Sequence, residues 1–84
     1  MITMTYTVLT MSVVDLINDL RNAIKRGCNV YIAGRKIIEI GYEVGRNNAI
    51  IVVLKADNGE TLRIYQSRFM NYRPRIICEG EAHG

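Results

Sequence analysis

Between residues 29 and 66 the chain alternates β-forming stretches with connections of only two to four residues, too short for any crossover. Consecutive strands joined this tightly must pair antiparallel, so the chain is predicted to fold as a meander. The stretches are residues 29–33, 36–44, 49–56 and 61–66. They are punctuated by Gly34–Arg35, by Gly45 to Asn48, and by Asp57-Asn58-Gly59, a strong hairpin signal. Residues 75–78 add a short last strand, with Pro74 just before it, where a missing N–H does least harm.

Ahead of the meander, Val13, Leu16, Ile17, Leu20 and Ile24 recur at helical spacing. Ser12 is a fitting N-cap with Asp15 three residues on, and Gly27 supplies the C′ position, which predicts a helix over 13–26. Residues 3–10 alternate and carry four threonines, the pattern of an N-terminal strand. The expected fold class is α+β, with an N-terminal strand and one amphipathic helix followed by a bent antiparallel meander of four to five short strands, a closed barrel being one way to finish it. Residues 1–78 form one domain, and 79–84 a flexible tail.

Two strands predict their own faces. In 36–44, Ile38, Ile40, Tyr42 and Val44 fall on one side and Glu39 and Glu43 on the other. In 49–54 both sides are apolar, the mark of a strand covered twice. One helix covers one side; the N-terminal strand, barrel curvature or another protomer must close the other, and a homo-oligomer is the expected outcome.

A helix followed by a bent meander resembles the Sm-like fold, including the bacterial Sm-like RNA chaperones. The resemblance rests on the Gly34 turn with Ile37 three residues on, and on IYQSRF followed by YRPR. The chain departs from that family at Glu39, where a glycine is usual, and in the loop from Gly45 to Asn48, which is longer and lacks the acidic residue. The resemblance implies an RNA-binding small barrel.

The segment at 63–75 carries Arg63, Arg68, Arg73 and Arg75, no acidic residue, and Tyr65, Phe69 and Tyr72 between the arginines. Guanidinium forks suit phosphate, and aromatic faces offer stacking to bases. Alternation places Arg63, Tyr65 and Ser67 on one strand face, opposite Leu62 and Ile64, and Arg68 in the turn beyond. The candidate ligand-binding set is therefore Arg63, Tyr65, Ser67, Arg68, Tyr72, Arg73 and Arg75. The partner would be RNA, DNA or a nucleotide. A solvated sheet edge explains the same residues without a ligand.

Catalysis and cofactors find no support. Glu39 and Glu43 lie four apart on a strand, ~13 Å, beyond the separation of a glycosidase pair. No phosphate-binding glycine loop is present. Cys28, Cys78 and His83 lack metal-ligand spacing. The expectation is a non-enzyme without cofactor or metal, holding a phosphate-bearing ligand; the alternative is an inhibitor or regulator that docks on a larger protein through an apolar sheet face. The apolar start lacks the features of a signal peptide, and no stretch is long enough to span a membrane. Cytoplasmic residence follows, with Cys28 and Cys78 as reduced thiols. The formal charge of +3 favours an anionic partner weakly.

Overall fold

The computed structural model describes residues 2–5, as backbone only, and 12–79. The expected tail beyond Glu79 and the second half of the strand expected over 3–10 lie outside these residues. The chain is α+β: strands β1 (Ile2–Thr5), β2 (Asn29–Ile32), β3 (Arg35–Val44), β4 (Ile50–Ala56), β5 (Thr61–Tyr65) and β6 (Arg75–Cys78), with helices α1 (Val13–Lys25) and α2 (Gln66–Phe69). The strands make one antiparallel sheet in the order β1-β6-β2-β3-β4-β5, open at both edges and not closed into a barrel. Among the described residues no helix is long and apolar enough to cross a membrane.

Helix α1 begins and ends where its capping residues dictate. The Asp15 N–H donates to Ser12 Oγ at 3.1 Å. At the other end Gly27 takes φ +88°, its N–H donates to the Ile24 carbonyl, and the Cys28 N–H donates to the Ala23 carbonyl. This pair of bonds is a Schellman motif, and it delivers Cys28 to the start of β2 in a fixed place. The stripe Val13, Leu16, Ile17, Leu20 and Ala23 is buried against the sheet.

The sheet receives that stripe on one face. Ile76, Val30, Ile37 and Ala56 oppose one another in a continuous row across β6, β2, β3 and β4, and each is at most 2% exposed. Ile40 and Leu54 continue the same face, beside half-buried Leu62. Residues 66–74 then cross from β5 towards β6 over this face, with Phe69 fully buried and its ring edge-on to Tyr72 at 6.4 Å. Both helices thus cover the same side.

Four expectations need correction. A β-bulge between Ile37 and Glu39 inserts one residue into β3 and shifts its alternation. Ile37 and Ile40 are buried, whereas Ile38 is 49%, Tyr42 43% and Val44 62% exposed. Among the described residues β4 is covered on one side only: Val52, Leu54 and Ala56 are buried, Ile51 and Val53 half-buried. The first hairpin turn is Ala33–Gly34, with φ of 54° and 76°, and Arg35 already pairs with Ile32. Positive φ at both central residues is the twist that matches two flanking strands.

The fourth correction concerns the cysteines, which are disulfide-bonded and not free, with Cα atoms 4.4 Å apart. The register explains it. Asn29 opposes Ile77 and Val30 opposes Ile76, so one step back Cys28 faces Cys78 across β2 and β6. Fifty residues separate them in sequence, and that distance hid the pairing.

Two stability effects are expected. Closing a loop of this size removes chain entropy worth about 4 kcal/mol, so the Cys28→Ala, Cys78→Ala double variant should lose roughly 2–4 kcal/mol in urea denaturation; a loss near zero would contradict the pairing. Ala33 carries a Cβ in the left-handed region, which costs an L-residue ~1–2 kcal/mol. Ala33→Asn should therefore raise stability by about 0.5–1 kcal/mol.

Candidate binding face

The side of the sheet away from the helices is uncovered among the described residues, and every described side chain on it is half-buried or exposed. Register assigns its occupants. Arg75, Tyr31 and Lys36 oppose one another across β6, β2 and β3. Glu39, Lys55 and Thr61 form the next row across β3, β4 and β5. Beyond it stand Gly41, Val53 and Arg63, then Glu43, Ile51 and Tyr65.

Four cations and two carboxylates share this face, and the carboxylates are already occupied. Lys55 Nζ lies 3.4 Å from Glu39 Oε1, and Arg63 Nη2 donates to Glu43 Oε2 at 3.1 Å. Both pairs are exposed, so each is worth well under ~1 kcal/mol in water, yet each sets local charge close to zero. Lys36 and Arg75 have no carboxylate partner among the described residues. The Arg75 guanidinium instead lies over the Tyr31 ring, 5.5 Å from its centroid. The excess positive charge of the face therefore gathers around one aromatic ring.

This arrangement disperses the residues singled out in 63–75. Arg63 and Tyr65 point from β5 onto the uncovered face, and Tyr65 is 61% exposed. β5 ends at Tyr65, so Ser67 leaves that face and sits with Arg68 in α2 rather than in a strand and turn. Tyr72 packs against the core. Arg73 is exposed in the connection to β6. Arg75 returns to the uncovered face on β6, four strand spacings or ~19 Å across the sheet from β5, and in a different row along the strands from Arg63. Arg63, Tyr65 and Arg75 share a face without forming one cluster.

Tyr31 and Lys36 were missed. Their signal was present in the alternation of 29–32, where Val30 and Ile32 face the core, and in the tight Gly34 turn that brings Lys36 opposite Tyr31. Arg75 belongs to the set expected from sequence, but its place opposite Tyr31 could not be read there, because nothing local tells that β6 inserts beside β2. Among the described residues no three His, Cys, Asp or Glu side chains gather to hold a metal ion.

One ion pair braces the end of the sheet where Lys36 sits. Arg35 donates to Glu60 through Nε at 2.8 Å and Nη2 at 3.3 Å, and through Nη1 to the Ala33 carbonyl. The Asn58 side chain also donates to Glu60 Oε1, at 3.4 Å. The Arg35 bond, then that of Asn58, hold the Glu60 carboxyl below its ordinary value, while the Glu60 bond raises Arg35.

No known family matches the chain, nor does any curated protein or solved structure.

A group with a depressed folded-state pKa adds stability above its unfolded value, and that contribution is lost as pH falls through the folded one. Glu60→Gln should therefore be less stable than the native chain at neutral pH. The gap should close in acid, below the ordinary carboxylate value near 4.5. Thermal melts of both proteins across the acid range check this; a gap that widens in acid would contradict the pairing.

Proposed function

We propose that the protein is a non-enzymatic binding module that holds single-stranded nucleic acid on its uncovered sheet face. The supporting observation is the row Arg75, Tyr31, Lys36: an aromatic ring with a cation on either side and, among the described residues, no carboxylate paired with them. Single strands are held by base stacking on aromatic faces and by cations that follow the backbone, and a sheet surface displays both without a cavity. Tyr65 offers a second ring on the same face, three strand spacings away, ~14 Å across the sheet. A strand running diagonally from Tyr31 to Tyr65 would pass the Glu39–Lys55 and Arg63–Glu43 pairs, whose cations can turn to phosphate. The ligand class stays with the phosphate-bearing partner expected from sequence, and the contacts centre on Arg75 of the 63–75 segment together with Tyr31 of β2 and Lys36 of β3.

Binding of a short labelled oligouridylate, measured by fluorescence anisotropy at low salt, tests the reading. Tyr31→Ala and Arg75→Ala should each weaken binding by about 1–3 kcal/mol, the range for loss of a stacked base. Tyr31→Phe should retain most of the affinity, and Arg63→Ala, whose guanidinium Glu43 already holds, should matter less. Affinity should fall log-linearly with salt. No binding at low salt, or an Arg63→Ala effect larger than that of Arg75→Ala, would overturn the assignment.

A further inference from the structure

β3 is longer than its neighbour on one side. β2 begins at Asn29, and its pairing with β3 covers only Arg35, Lys36 and Ile37. β3 runs on to Val44, paired with β4 alone. From the bulge onward one edge of β3 therefore has no partner strand among the described residues, although β3 is an interior strand of the sheet. Alternate residues along that edge turn N–H and C=O groups away from β4, and an unpaired edge of this kind is a template for another strand.

What lies beside the edge is a groove. It has a volume of about 520 Å³, within the range of ligand sites. One wall is the last turns of α1, with Arg21, Ile24 and Lys25, and the other is β3, with Ile38, Ile40 and Tyr42. The bulge contributes directly, because it turns Ile38 out of the core and leaves it 49% exposed as an apolar wall. The gap between helix and strand edge thus carries apolar side chains between charged ones, beside β3 backbone that has no partner strand among the described residues.

The charges select the occupant. Glu39 and Glu43 also border the groove, but Lys55 and Arg63 hold them. Arg21 and Lys25 stand one helical turn apart and have no carboxylate partner among the described residues. The rim is net positive at the helix. We propose that this groove receives an extended segment of a partner protein, which adds as a strand to the free edge of β3 between Glu39 and Val44. Alternate apolar side chains enter the groove, and an acidic residue meets Arg21 and Lys25. Main-chain hydrogen bonds supply affinity in this mode, and the side-chain pockets supply selectivity. The site is separate from the Tyr31 row, and its test does not depend on nucleic acid.

Selection from a displayed library of random short peptides, counter-selected on an Arg21→Glu, Lys25→Glu variant, tests the proposal. Enriched peptides should carry Asp or Glu beside alternating apolar residues and no central proline. A synthetic enriched peptide should bind the variant about tenfold or more weakly, the equivalent of ~1.4 kcal/mol. Circular dichroism shows whether the variant stays folded, and Arg21→Gln with Lys25→Gln gives a milder second version. Amide hydrogen exchange with the peptide bound should show new protection within 39–44. The proposal is overturned by a lack of enrichment, by peptides that bind the variant equally well, or by protection that maps to β5 or to the uncovered face. Protection of 39–44 that rises with protein concentration in the absence of peptide would assign the edge to a second copy, and would overturn it too.

Discussion

The rest of the structure depends on β6 pairing between β1 and β2. The last strand does not extend the meander past β5. It enters at the far side, antiparallel to β2, and its Ile76 completes the buried row with Val30, Ile37 and Ala56. That pairing also sets Cys28 opposite Cys78 and ties the end of α1 to the end of the sheet. Crossing from β5 to β6 carries Phe69 and Tyr72 over the core, so both helical segments lie on one side. Among the described residues the other side is left uncovered as a consequence, and Arg75 is placed above Tyr31.

Much of this order was legible in the sequence because it is local. The helix from Ser12 to Gly27, the hairpin at 57–59 and the strand limits follow from capping, turn chemistry and periodicity, which act over a few residues. The rest was set by contacts distant in sequence. A single inserted residue near Ile38 reversed the expected faces of β3 up to the bulge, and periodicity alone cannot reveal a bulge. The Cys28–Cys78 bond spans fifty residues and follows from the β2–β6 register, which no local signal announces. The candidate site divided in the same way: Arg63 and Tyr65 were placed on their face correctly by alternation, Ser67 was not, because the strand stops at Tyr65, and Arg75 lies opposite a neighbour more than forty positions away.

The two proposed surfaces differ in the forces they use. On the uncovered face the carboxylates neutralise two of the four cations, so selectivity there would rest on stacking at Tyr31 and on the charge of Arg75 and Lys36. The groove beside α1 is concave and apolar, and its distinctive resource is unpaired backbone along β3. Both arise from one cause, a sheet whose strands differ in length and whose helices fall on a single side. Neither needs a buried charge or a strained catalytic group, and no buried polar side-chain atom among the described residues lacks a partner.

The most direct test of the account is a map of where an oligonucleotide touches the sheet. Amide chemical shifts recorded while a short oligouridylate is titrated into isotope-labelled protein would supply it. The largest changes should cluster at Tyr31, Lys36 and Arg75, the last of which joins the other two only because β6 pairs with β2, and those at Ser67 and Arg68 should stay small. Changes centred on α2 and the connection through Arg73, with Tyr31 unmoved, would contradict it.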